Sequence, residues 1–68
     1  MATLEKAIRY AEQRAKQTGK RYCRVQARNG QWMIEPQEFL QSAAGRMCYA
    51  STLHTVVCVD SNGNWEIY

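Results

Sequence analysis

The hexapeptide Asn29-Gly30-Gln31-Trp32-Met33-Ile34 returns as Asn62-Gly63-Asn64-Trp65-Glu66-Ile67, and no other feature constrains the fold as strongly. Each copy reads as a tight turn followed by a strand that sends a Trp and an Ile to one face. Asn-Gly favours hairpin turns because both residues tolerate positive φ. The two copies hold both tryptophans of the chain, so they are expected at the centre of the core. Elsewhere the two halves are dissimilar, and shared turn chemistry accounts for the repeat.

The 68 residues are expected to form a single compact α+β domain, residues 1–68. A chain this short buries only about 60% of the surface exposed by its unfolded form, which leaves no room for a deep substrate cleft. Hydrophobic residues make up 46% of it, with two Trp, four Tyr and one Phe, as in a folded globule rather than a disordered tail. Met1 to Lys20 is charged and amphipathic, unlike a secretory signal, and no run approaches the ~20 apolar residues of a membrane span. The expected location is cytoplasmic. Cys23, Cys48 and Cys58 form no CxxC pair, and in a reducing compartment they read as small buried apolar residues. The net charge of +3 permits an acidic partner, excludes an acidic DNA mimic and falls short of dense basicity.

Along the chain, Thr3 reads as an N-cap and Gly19 as the stop of a helix from Leu4 to Thr18. Leu4, Ala7, Ile8, Ala11 and Ala15 make its apolar stripe, and Glu5/Arg9 and Glu12/Lys16 are i,i+4 pairs. Lys20 to Arg28 alternates as a strand. A two-residue turn at Asn29-Gly30 would set Ala27 against Trp32, Val25 against Ile34 and Arg24 against Glu35. After Pro36, a short helix is expected over Gln37 to Ala44, closed by Gly45 and burying Phe39, Leu40 and Ala43. Arg46 to Asp60 reads as β-like, with Ser51-Thr52-Leu53 open between turn, bulge and strand. A three-residue loop, Ser61-Asn62-Gly63, keeps Val59 with Trp65 and Val57 with Ile67. The expected architecture is one long N-terminal helix packed on a four- to five-stranded antiparallel sheet, with a short helix between two hairpins.

Chemistry is sparse. His54 is the only histidine, and nothing orients it toward Cys48 or Cys58 as a nucleophile pair would need. Cys23, Cys48, Cys58 and His54 have the count of a zinc site, but His54 and Cys58 lie about 13 Å apart on a strand. The glycines are scattered, the carboxylates form no obvious pair, and neither cofactor, metal nor enzyme activity is expected.

Two surfaces remain. The helix carries Lys6, Arg9, Gln13, Lys16 and Lys20 at helical spacing, with Arg14 nearby, a pattern that also serves as a solvated face. The first hairpin is expected to turn Tyr22, Arg24, Gln26, Arg28, Gln31 and Met33 outward, a mixture that suits a protein interface or the stacking of single-stranded bases. The partner-binding set is therefore Tyr22, Arg24, Gln26, Arg28, Met33, Arg9, Lys16 and Lys20. The expected function is non-catalytic docking on a larger protein or nucleoprotein complex. By size and architecture the chain resembles accessory proteins of phages and mobile elements, including anti-CRISPR inhibitors of host defence. The competing expectation is a small nucleic-acid-binding module, and pairing of sheet edges would make a homodimer.

Overall fold

The computed structural model describes residues 3–68, and the chain is α+β. Helix α1 spans Leu4–Thr18; Thr3 caps it by accepting the Lys6 N–H at 3.3 Å, and Gly19 ends it at φ 72°. Ala7, Ala11 and Ala15 are its buried residues, so the helix axis can approach the sheet closely. Strands β1 (Tyr22–Gln26), β2 (Trp32–Pro36), β3 (Val57–Val59) and β4 (Trp65–Ile67) form one antiparallel sheet in the order β2-β1-β3-β4.

The second hairpin has the expected register, Val59 opposite Trp65 and Val57 opposite Ile67. The first is displaced by one residue from expectation: Gln26 faces Trp32, Arg24 faces Ile34 and Cys23 faces Glu35. The cause lies in the turn. A two-residue Asn-Gly loop needs positive φ at both residues, whereas here only Gly30 has it, at 87°. Ala27 therefore pairs with Gln31 (Ala27 N to Gln31 O, 2.8 Å), and Gly30 N donates to Ala27 O. Arg28, Asn29 and Gly30 make a three-residue loop like that of the second hairpin, where Gly63 sits at φ 85°.

A one-residue slip moves every side chain of a strand to the other face. Trp32 and Ile34 accordingly share the face of Tyr22 and Arg24, and Met33 and Glu35 share that of Cys23 and Val25. The structure accommodates this because elements cover both faces. On one face Ala11 and Ala15 of α1 pack with Tyr22 and Val59, flanked by Ile34 and Trp65. On the other, Cys23, Val25 and Cys58 pack with Leu40, Tyr49 and Val56, flanked by Met33, Phe39 and Leu53. The largest fully buried side chains are Leu40, Val25, Val56 and Val59. The tryptophans are half-buried, so they border the core rather than centre it.

The connection from β2 to β3 supplies that second cover. Two short helices replace the single expected one: α2 (Gln37–Gln41) and α3 (Ala43–Cys48). Ser42 separates them, its Oγ accepting from Gly45 N at 3.1 Å as the N-cap of α3. Gly45 thus lies inside a helix instead of closing one. There it meets α2 so closely that an added Cβ would stand 1.9 Å from Phe39 O and 2.9 Å from Leu40 Cα. The expected β-like run after Arg46 is strand only over β3. Its first residues finish the capped helix, and Leu53–Thr55 form a 3-10 turn. Tyr49, at the end of α3, donates its hydroxyl to Glu35. Burial first, then this bond, holds its pKa above the ordinary tyrosine range.

Cys23 and Cys58 stand directly opposite each other on β1 and β3 and are joined as a disulfide, both buried. Cys48 is exposed. The expectation of three buried thiols is corrected on both counts. The linkage ties one hairpin to the other across 35 residues of sequence. Among the described residues no helix is long and apolar enough to cross a membrane.

Gly45→Ala should lower unfolding stability by about 1 to 3 kcal/mol in urea titration, because backbone atoms must move to admit the methyl group. Reduction, or the Cys23→Ala/Cys58→Ala pair, should cost about 3 to 4 kcal/mol at this loop length, read as a lower denaturation midpoint.

Candidate partner-binding surface

The register decides which residues can meet a partner. Across the α1 side of the sheet, Ile34, Arg24, Val57 and Ile67 stand side by side on four strands. The neighbouring row is Pro36, Tyr22, Val59 and Trp65. Ala11 and Ala15 cover the second row around Tyr22 and Val59. In the first row Ile34, Arg24 and Val57 are half-buried, and Ile67 at the β4 edge is 87% exposed.

Arg24 is the charged member of this strip. Its guanidinium carbon lies 5.5 Å from the ring centres of both Trp32 and Trp65, which is cation–π distance. Its Nε is buried without a hydrogen-bond partner, and no carboxylate pairs with it among the described residues. The expected Arg24–Glu35 pair does not form, since the slip sends Glu35 to the opposite face beneath Tyr49. Glu12 takes Trp65 instead, accepting from the indole Nε1 at 3.1 Å. That bond fixes one ring from α1. The result is an arginine held between two indoles beside exposed aliphatic surface, the residue types that dominate interface energetics.

The edge adds backbone groups. Asp60 N donates to Asn64 O and Tyr68 N to Val56 O, so the even-numbered residues of this segment point their hydrogen bonds toward β3. By the alternation of antiparallel ladders, Trp65 and Ile67 direct N–H and C=O outward.

The eight residues expected to bind a partner do not share one face. Tyr22 is buried under α1, with the Arg14 guanidinium 5.7 Å from its ring. Met33 packs on the opposite side against the Cys23–Leu40 cluster. Gln26 donates to Gly30 O within the turn, where Arg28 is exposed. Arg9 pairs with Glu5 at 2.9 Å and Lys20 with Glu38 at 3.3 Å; Lys16 stands exposed on α1. Of the set, only Arg24 belongs to the strip. Its other members, Trp32, Trp65, Val57 and Ile67, had been expected in the core. The repeated Trp-x-Ile was itself the signal, since it places the same pair on both sheet edges.

Of the four residues weighed as metal ligands, Cys23 and Cys58 are committed to the disulfide, and no cluster of three or more His, Cys, Asp or Glu that could hold a metal ion occurs among the described residues. The chain matches no protein-family model, no curated protein and no solved structure.

Behind Trp65, the turn is organised by Asp60, whose Oδ1 accepts from Asn62 N at 2.9 Å and Asn64 N at 3.0 Å. The bond from Asn64 is the first cause that holds its pKa below the ordinary carboxylate value, with the bond from Asn62 and the Arg21 charge adding to it. A depressed folded pKa means the turn is stabilised above the ordinary Asp range and loses that support as pH falls through the folded value. Acid titration should therefore loosen the β3–β4 hairpin, seen as amide exchange at Asn62 and Asn64. In Asp60→Ala the exchange should already be fast at neutral pH and lack that acid step.

Proposed function

We propose that the protein is a non-catalytic docking protein, and that the strip of Trp32, Arg24, Trp65, Val57 and Ile67 is the surface that meets a larger macromolecular partner. One observation carries this reading: an arginine without a carboxylate, walled by two indoles, stands in one row with Val57 and Ile67, the most exposed large hydrophobic among the described residues. A partner carboxylate would supply the acceptor Arg24 lacks. Partner side chains would cover Ile67, and the outward backbone groups of β4 would accept an added strand. Inhibition of a larger complex, as phage accessory proteins perform, fits a chain that acts by occupying a surface.

A nucleic-acid role draws less support. Arg9, Lys20 and Arg21 are paired with Glu5, Glu38 and Glu66. The cations left without such a pairing, Lys6, Arg14, Lys16, Arg24, Arg28 and Arg46, are divided among α1, β1, the first hairpin loop and α3.

The test compares wild type with Arg24→Glu and Ile67→Glu as baits on extract of the producing cell or its host. Both variants should keep the wild-type circular dichroism spectrum. A protein retained by wild type should be lost by each variant, a fall of about 2 kcal/mol or more in binding free energy for a central arginine. Equal capture by folded variants removes the strip from consideration. Oligonucleotide binding that collapses between ~50 and ~200 mM salt would transfer the assignment to nucleic acid.

A further inference from the structure

The two Asn-Gly turns share a backbone form but differ in what holds the asparagine. Asn29 Oδ1 accepts from Gln31 N at 3.0 Å, which fixes its side chain against the strand that follows. In the second turn Asp60 performs that service, accepting from Asn62 N and Asn64 N. The Asn62 carboxamide makes no hydrogen bond to another described residue and is exposed. From this contrast we propose that Asn62 is a site of spontaneous deamidation to isoaspartate, and that the fold protects Asn29 from the same reaction.

The chemistry requires only water and base. Gly63 N, having lost its proton to hydroxide, attacks Cγ of Asn62. The new N–Cγ bond displaces Nδ2, which leaves as ammonia by taking one proton from water and so restores the hydroxide. The product is a five-membered succinimide, and a second water opens it. Opening at the main-chain carbonyl gives isoaspartate, and opening at Cγ gives aspartate. The balance is one water consumed and one ammonia released, with no change of oxidation state. A glycine at the following position leaves the attacking nitrogen unhindered by a Cβ.

In the folded turns both nucleophiles are occupied: Gly63 N donates to Asp60 O at 3.1 Å and Gly30 N to Ala27 O at 2.9 Å. Each turn must open before it reacts. The second opens more readily, because its strands are three residues each against five in the first hairpin. Free side chain and weaker hairpin act in the same direction. Isoaspartate routes the main chain through Cβ, lengthening a loop whose residue count sets the β3–β4 register. The modified chain should therefore lose the seat of Trp65 beside Arg24 and Glu12.

The test holds the native protein in mildly alkaline buffer for days, then reduces and digests it with trypsin. Cleavage after Arg28 and Arg46 yields peptides 29–46 and 47–68, each with one Asn-Gly. The 47–68 peptide should gain roughly one dalton and accept label from isoaspartate methyltransferase. Its rate should exceed that of 29–46 by about fivefold or more, the worth of one ordered side-chain hydrogen bond. In denaturing urea the two rates should converge, and Asn62→Ser should abolish the gain in 47–68. Equal rates in the folded protein, a faster 29–46 peptide, a difference that persists in urea, or a gain surviving Asn62→Ser would each overturn the proposal.

Discussion

One backbone angle in each hairpin governs this structure. Gly30 and Gly63 lie in the left-handed region and no other described residue of either turn does, which makes both loops three residues long and sets the parity of β2 and β4. From that parity follow the face on which each indole lies, the residue opposite Arg24, and the carboxylate that reaches Tyr49. Asparagine tolerates positive φ, but glycine adopts it without steric cost. The turn that asks it only of glycine prevailed in both places.

The slip in the first hairpin is stable because elements pack on both faces of the sheet. Odd-numbered residues of β1 bury against Leu40, Tyr49 and Val56, and even-numbered ones face α1. Two thin apolar layers replace one thick core, each closed by small contacts: alanines from α1 on one side, Gly45 between two short helices on the other. A disulfide between the central strands joins the hairpins where the buried aliphatic area is modest. Small domains commonly gain their margin from such a link.

The uncovered strip arises from a mismatch of widths. α1 packs on β1, β2 and β3, and reaches β4 at Trp65 through Glu12, whereas Ile67 lies beyond it. The repeated Trp-x-Ile gives both edges of the sheet the same apolar pair. Beneath the helix that pair packs against alanine, at Ile34; outside it the pair stays open, at Ile67. Covering Ile34 and leaving Ile67 exposed gives the two edges of the sheet different surfaces.

Local signals wrote several elements directly into the chain. Thr3 and Gly19 bound α1 as cap and stop, the alanine stripe is its buried side, and the Ser61–Gly63 loop sets its hairpin. These rest on interactions between residues close in sequence, so one stretch contains all the information. What the tertiary structure alone decided is which alternating face is inside. A two-residue loop at Asn29-Gly30 is favoured by pairing apolar residues on a single side, and that criterion fails once elements pack against both faces. The cysteine pair and the isolation of Arg24 likewise depend on contacts between distant segments. A register is a local event, but its correctness is judged by everything that packs on it, and that judgement is made only by the assembled layers.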